Sequence, residues 1–492
     1  MGVWIILGCY VLITLVIGVV NAKKANSMAN FVVGGREAGP WMSAFAFGTT
    51  YFSAVLFIGY AGNSGWNFGW WAVLIGLGNA VLGTWLAWKV LANRTRAVTR
   101  QFKIKTMPQL FEKRYNSKPM KIYAAIVIFV FMTPYSASVY SGLAYLCDKV
   151  FHIEYIYCMI AIALIAAIYV VLGGYLAALK VDFVQGILMI VGIAAMIGFI
   201  VAQPQVGGIA HGLSTLTQKM DQAGILSLSG NQVLSLISLI LLTSIGGWGL
   251  PQMVQKFYGI ADKKAARAGT VISTGFSLII SCGAYFIGAL TRLFFTDVPK
   301  TAAGKPNYDV LVPGVLEHLP ELLLGLILVL VLAASISTLS SITLTSCSAV
   351  SMDLIEGGLC PKIQRKTTLL LTRIFCLLFI VFSFLIAAFK LPIIMLMSFS
   401  WGSVAGSFLA PYLLGLYWKK MNRAGAWTGM ISGLVVSIAL AIGSGFNAGN
   451  APLFGVIAII VSFVGCFTGS LIARAKGAKC ASEENAFLQV QE

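Results

Sequence analysis

The chain has 492 residues, of which 59% are hydrophobic and 10% charged, and its mean hydropathy is +0.89. This composition excludes a soluble globular protein of this length and is typical of a chain with many membrane-spanning helices. The net charge of +18 reflects 34 Lys and Arg against 16 Asp and Glu. Most of these basic residues fall in alternate loops between apolar runs, so the charge indicates membrane topology and not nucleic-acid binding.

Runs of about 20 apolar residues recur along the whole sequence, and each is long enough to cross a bilayer as a helix. The basic loops predict a multi-pass protein of the cell membrane, with the N-terminus outside and the C-terminus in the cytoplasm. The predicted spans, in chain order, are 3–20, 41–63, 68–91, 121–147, 154–173, 177–202, 232–255, 265–291, 320–350, 368–389, 393–417, 424–445 and 451–473.

Two of these spans are interrupted near their middle. The second span contains Gly48, Thr49, Thr50 and Ser53, and the seventh contains three glycines and a proline between Gly246 and Pro251. Glycine and proline disfavour a regular helix, and irregular backbone at membrane depth is tolerated only inside protein or along a cavity. Interrupted spans at matching places in two halves of a chain predict a transporter site. The alternative for the second span is close helix packing through Gly and Thr.

The interruptions lie five spans apart, which predicts two repeats of five helices in opposite orientation. We therefore expect one membrane transport domain over 1–492. Its predicted parts are a leading helix and cytoplasmic loop (1–40), a first repeat (41–202), a second repeat (232–417), two trailing helices (424–473) and a short cytoplasmic tail (474–492).

Asp182 is an acidic residue near the start of the sixth span, about one turn or more inside it. An ionisable residue inside the membrane indicates a functional site, here a cation site. Lys180 is two residues away and does not face Asp182 on a helix, so it is expected to extend to the cytoplasmic interface. The alternative is an interfacial aspartate stabilised by the helix dipole.

The ninth span carries a cluster of hydroxyl side chains. Ala334, Ser337, Thr338 and Ser341 share one helical face, and Ser340 lies beside it. Hydroxyl oxygens without a neighbouring charge suit a small desolvated cation such as Na⁺. Such residues also allow helices to pack closely and to form hydrogen bonds between them, which is the competing interpretation.

Three segments resemble the solute:sodium symporter family, which has the LeuT-type fold. They are the loop from Phe31 to Gly39, the segment from Gly173 to Gln185, and Ser337 to Ser340. The resemblance extends in order across nearly the whole chain. It implies an all-α polytopic membrane protein of about 13 helices, with a 5+5 inverted repeat and broken core helices.

The resemblance also implies where Na⁺ binds. The ligands of the family's shared sodium site would be the backbone carbonyls of Thr49, Phe52 and Ala334 and the hydroxyls of Ser337 and Thr338. A possible second sodium site would be formed by Asp182, Ser340 and Ser341. Proline-type members carry an Asp on the first core helix where this chain has Tyr51, so a charge-assisted version of the shared site is not expected.

The sequence indicates the identity of the substrate less narrowly than it indicates the sodium ligands. Residues 49–59 resemble pantothenate-type members, whereas residues 133–138 resemble proline-type members. For any single aromatic residue, core packing competes with a role in binding. The residues expected to line the substrate site are Ser53, Phe57, Tyr135, Trp248, Ser398 and Trp401.

The sequence therefore predicts a sodium-coupled symporter that imports a small organic solute by alternating access. The solute would be a proline-like amino acid or a small pantothenate-like carboxylate. The alternatives are a proton-coupled transporter of the same fold, or a sodium-coupled sugar or sialic-acid symporter. The nine cysteines and three histidines show no metal-ligand spacing and no nucleophile–base set is visible, so we expect no enzyme activity and no metal besides Na⁺. The expected partners are solute, Na⁺ and lipid, without nucleic acid or an obligate protein partner.

Overall fold

A computed structural model describes residues 2–22, 32, 36–301, 304–477 and 486–490. Within these residues the chain is helical, with isolated backbone bridges and no extended strand. The α-helices are α1 (Gly2–Ala22), α2 (Pro40–Tyr51), α3 (Ala61–Phe68), α4 (Val73–Gly78), α5 (Asn93–Gln101), α6 (Met107–Tyr115), α7 (Lys118–Phe151), α8 (Tyr155–Ala202), α9 (Ile209–Gln222), α10 (Gly230–Ser244), α11 (Pro251–Tyr258), α12 (Lys263–Ser277), α13 (Gly283–Phe294), α14 (Leu311–Leu316), α15 (Glu321–Ser348), α16 (Arg365–Ala388), α17 (Ile393–Tyr417), α18 (Arg423–Gly443) and α19 (Ala451–Ala475).

Shorter π-helical and 3₁₀ turns join several of these helices into longer rods. Val55–Tyr60 leads directly into α3, Leu278–Cys282 joins α12 to α13, and Ala349–Leu359 extends α15. Among the described residues, ten helical stretches are long and apolar enough to cross a membrane, and Ile5–Thr14 and Tyr155–Ile168 are shorter apolar helices. The predicted count of thirteen spans and the inverted repeat stay predictions.

The fifth and sixth predicted spans are not separated in the backbone. Helix α8 runs from Tyr155 to Ala202 without interruption, through the Gly173–Gly174 pair. Glycine pairs are tolerated inside membrane helices, so this pair is not a reliable sign of a helix end. The apolar stretch Ala178–Ala202 by itself has the length of a membrane span.

Both predicted helix interruptions are confirmed. Helix α2 ends at Tyr51, and Phe52 follows in an extended conformation with φ −107° and ψ 106°. Helix α10 ends at Ser244 and is followed by a 3₁₀ turn, after which Leu250 is extended with φ −82° and ψ 125°. Pro251 then begins α11, a position where its missing N–H has no helical partner to lose.

Helix α15 lies at the centre of the molecule. Every residue from Ile327 to Ser348 is buried, and the helix contacts α1, α2, α7 and α8. A helix that is buried on all sides must satisfy its hydroxyl groups internally, either within the helix or on a neighbouring one. The end of α2 is one such neighbour, and the contact between the two helices forms the candidate site.

Candidate sodium and solute site

The hydroxyl groups of α15 meet the carboxyl end of α2. The Ser337 hydroxyl donates to the carbonyl oxygen of Thr49 at 2.8 Å. The Thr338 hydroxyl lies 3.3 Å from the carbonyl oxygens of both Thr49 and Thr50. The last carbonyls of a helix have no intrahelical partner, so the early end of α2 leaves these oxygens free to face α15. The contact is fully buried.

Most of the predicted ligands of the shared sodium site are therefore close together. The Ser337 hydroxyl also lies 3.2 Å from the carbonyl oxygen of Ala334, which brings that carbonyl into the same group. Phe52 is the extended residue directly after α2. Neutral hydroxyl and carbonyl oxygens of this kind are ligands for a hard cation, and Na⁺ would replace the hydrogen bonds that now join them. Their role as sodium ligands stays a prediction.

The residues of the possible second sodium site have other partners. The Ser341 hydroxyl shares a hydrogen bond of 3.0 Å with the Thr50 hydroxyl, which adds a further link between α15 and α2. The Ser340 hydroxyl donates to the carbonyl oxygen of Ser337 within α15 at 2.9 Å. Asp182 is fully buried, and its Oδ2 accepts a hydrogen bond of 3.1 Å from the Lys256 ammonium.

Tyr51 connects the two interrupted helices. Its phenol donates to the carbonyl oxygen of Thr243 at 2.5 Å and lies 3.4 Å from the amide oxygen of Asn79. That same amide oxygen accepts hydrogen bonds from the hydroxyls of Thr243 and Ser244 at 2.9 and 3.1 Å. Tyr51 is thus a neutral bridge between the end of α2 and the end of α10.

An aromatic cluster lies beside this bridge. The Trp401 ring stacks against Tyr51 with centroids 6.2 Å apart, and it meets Tyr135 edge-on with centroids 5.6 Å apart. Gly247 of the second break is close enough that a Cβ there would contact Tyr51 at 3.6 Å and Trp401 at 3.8 Å. The Tyr135 hydroxyl and the Trp401 indole nitrogen are buried close to each other and to Ser53, and neither makes a hydrogen bond of good geometry among the described residues. Two such weakly satisfied donors next to both helix breaks suit a polar ligand.

The other predicted substrate residues surround this cluster less closely. Trp248 and Tyr51 both line one small pocket, and the Trp248 indole donates to the carbonyl oxygen of Leu82 at 3.1 Å. Ser53, two residues after Tyr51, is buried, and its Oγ accepts from the backbone N–H of Val55 at 3.2 Å.

Ser398 and Phe57 are also buried. Ser398 shares a hydrogen bond of 2.7 Å with the Tyr60 hydroxyl and lines a different small cavity. That cavity is also lined by Phe446 and Asn447, so Ser398, which lies three residues before Trp401 on α17, faces another space. Phe57 lies in the hydrophobic core, on the turn Val55–Tyr60 that leads into α3.

Sequence reasoning missed three residues of this region. Asn79 and Thr243 form the polar junction with Tyr51, and Lys256 pairs with Asp182. Lys256 lies on α11, and its side chain is 3% exposed. The sequence contains a signal that could have placed Lys256 inside the protein. Lys256 follows Pro251 by five residues, so it lies on the helix that begins at the second break.

Comparison with known families identifies the class of protein to which this site belongs. Residues 31–433 match the model of the sodium:solute symporter family. The chain belongs to this family. The protein is therefore an integral membrane transporter and not an enzyme, and Na⁺ is its coupling ion.

Individual relatives agree with this membership. The sodium/proline symporters of Staphylococcus aureus strains JH9 and NCTC 8325 are each 29% identical over 472 residues, covering 94% of this chain and 90% of theirs. A Na⁺-coupled sialic acid symporter, solved substrate-bound and outward-open, superposes with a TM-score of 0.79 at 18% identity, over 96% of this chain and 98% of its own. MhsT in complex with L-phenylalanine superposes with a TM-score of 0.53 at 14% identity, over 90% and 99%. The two structures show that the sodium:solute symporter described here shares their fold.

Proposed function

We propose that this protein imports a small carboxylate-bearing solute across the cell membrane together with Na⁺, by alternating access. A proline-like amino acid is the first candidate, supported by the sodium/proline symporters among its relatives. A pantothenate-like carboxylate is the second candidate, supported by Tyr51 and by the resemblance of residues 49–59. The observation that carries the proposal is the buried contact between the Ser337 and Thr338 hydroxyls and the carbonyls at the broken end of α2.

Sodium binding at this contact would couple ion and solute. In the proposed site Na⁺ binds the oxygens of Thr49, Ser337 and Thr338, and thereby holds α2 against α15. The break in α2 lies next to Tyr51, which stacks on Trp401, so the ion orders one wall of the proposed solute site. Because binding free energies are linked, the solute must raise the affinity for Na⁺ by the same factor by which Na⁺ raises the affinity for solute.

The chemistry of the cluster suits a solute with one charged end and an apolar body. The weakly satisfied donors of Tyr135 and Trp401 are available for a carboxylate or amide oxygen. The amino ends of the segments that follow the breaks, at Val55 and Pro251, add the positive end of a helix dipole. The faces of Tyr51 and Trp401 would then cover the apolar part of the solute.

Transport in reconstituted vesicles tests the proposal directly. Purified protein in proteoliposomes would be given labelled proline, pantothenate, short monocarboxylates, sugars and sialic acid, each with an inward gradient of Na⁺ or of choline. We expect saturable uptake of proline or pantothenate that is lost with choline. Uptake of sugar or sialic acid alone would contradict the proposed solute class. Uptake that is indifferent to Na⁺ would contradict the proposed sodium site.

A further inference from the structure

The ion pair between Lys256 and Asp182 links two elements of the transport core. Lys256 lies on α11, the helix that begins after the second break, and Asp182 lies on α8. The nitrogen and oxygen are 3.1 Å apart, and the side chains are 3% and 0% exposed. The ammonium also lies 5.4 Å from the ring centre of Tyr175, so it is held by a carboxylate and an aromatic face.

A buried carboxylate that stays ionised is stabilised by a positive charge beside it, which a bound ion or a fixed side chain can supply. The sequence predicts a bound ion at Asp182, with help from the hydroxyls of Ser340 and Ser341. In the structure those hydroxyls bond to Ser337 and Thr50, while the carboxylate bonds to the ammonium. Na⁺ on the same carboxylate would be placed next to the ammonium, and the two like charges would repel each other.

We infer that the Lys256 ammonium takes the place of a second Na⁺, so that this symporter carries one Na⁺ per solute and holds a latent cation site at Asp182. The inference rests on the proposed function, because the single Na⁺ is the one assigned to Ser337 and Thr338. The Oδ1 atom of Asp182 has no hydrogen-bond partner among the described residues, so the carboxylate retains an oxygen for a metal ion if the ammonium is removed.

Replacement of Lys256 tests the inference, because the variant is expected to bind an additional Na⁺. The wild-type protein, a Lys256→Gln variant and an Asp182→Asn/Lys256→Gln double variant would be compared by equilibrium binding of ²²Na⁺ to purified protein. We expect one Na⁺ per wild-type protein, two for Lys256→Gln, and one for the double variant, which has neither buried charge. The Hill coefficient for Na⁺ activation of uptake should likewise rise from about 1 towards 2 only in Lys256→Gln.

The possible results separate this inference from the proposed function. Two Na⁺ in the wild type, or one Na⁺ in a folded Lys256→Gln protein, would overturn the inference alone. If Lys256→Gln does not fold, the wild type is compared with the double variant. One bound Na⁺ in each of these two proteins supports the inference. A double variant that binds one Na⁺ fewer than the wild type overturns it. A wild-type protein that binds no Na⁺ contradicts the proposed sodium site and this inference together.

Discussion

Replacement of Ser337 by Ala is the most direct perturbation of the proposed sodium site. Ser337 donates to the carbonyl oxygen of Thr49 at 2.8 Å and lies 3.2 Å from that of Ala334, so its oxygen is at the centre of the site. Alanine removes one oxygen and leaves the backbone and nearly all of the side-chain volume unchanged. The expected effect is therefore weaker ion binding without a large packing defect.

The size of the effect follows from the interaction that is lost. A hydrogen-bonding group that contacts a charge contributes about 1.5–3 kcal/mol, and each 1.4 kcal/mol is tenfold in affinity, so the dissociation constant for Na⁺ should rise about 10- to 100-fold. Sodium at 100 times its dissociation constant stabilises a folded protein by about 2.7 kcal/mol, and this falls to about 0.4 kcal/mol when affinity drops a hundredfold. The Na⁺-dependent stabilisation should therefore fall to about half of its wild-type value for a tenfold loss of affinity, and to about a sixth for a hundredfold loss.

Thermal unfolding of the purified protein in NaCl and in choline chloride measures the Na⁺-dependent stabilisation, and it does not require the solute to be known. Ser335→Ala is the matched control, because Ser335 is equally buried on α15 but donates only within its own helix, to the carbonyl oxygen of Val331 at 2.7 Å. The control should retain the sodium-dependent shift of the wild type. An equal sodium-dependent shift in Ser337→Ala and wild type would refute the assignment of this oxygen as a ligand.

Three further substitutions address the neighbouring groups. Tyr51→Phe removes the hydrogen bond to the Thr243 carbonyl and should lower the free energy of unfolding by about 1–3 kcal/mol, measured by chemical denaturation. Tyr135→Phe removes a hydroxyl that makes no hydrogen bond of good geometry among the described residues, so the free energy of unfolding without solute should be unchanged. The KM for solute should rise about tenfold, which corresponds to about 1.4 kcal/mol. An unchanged KM would place this hydroxyl outside the solute site. Asp309, in the turn before α14, accepts from the N–H of Ile393 at 3.1 Å, and burial raises its pKa to about 7. Because the folded pKa lies above the unfolded value, its contribution to stability is full below about pH 4 and is lost as pH rises through 7, and Asp309→Asn should remove this part of the pH dependence of thermal unfolding.

The sequence predicted the parts of the site that depend on local backbone chemistry. Glycines and Pro251 located the second break, and the polar run around Thr49 placed the first break to within a few residues. The spacing of Ser337 and Thr338 on a regular helix put both hydroxyls on one face, and the structure shows that face against α2. Helical periodicity and helix-ending residues act over one or two turns. The sequence therefore predicts their effects without knowledge of which helix packs alongside.

The sequence could not predict which side chains from distant parts of the chain pair with each other. Whether Asp182 faces Na⁺ or Lys256 depends on the direction in which α11 leaves the second break, and no local pattern specifies that direction. The junction of Tyr51 with Asn79 and Thr243 likewise requires three separate elements to meet. Helix α8 shows the opposite limit, because the predicted boundary between the spans 154–173 and 177–202 falls within one continuous helix.

The two parts of the first broken helix lie along a single continuous rod, α12–α13. Before the break, Gly48 of α2 is packed against the ring of Phe276, where an added Cβ would lie 2.3 Å away. After the break, Gly65 of α3 faces the backbone of Gly288, with an added Cβ 2.1 Å from its oxygen. Between these two tight contacts the rod has its own π-helical turn at Leu278–Cys282, and such turns are common places for a helix to bend. Each of the two packed elements therefore has its irregular backbone between the same two glycine contacts, so a change of angle at these irregular segments need not open either contact.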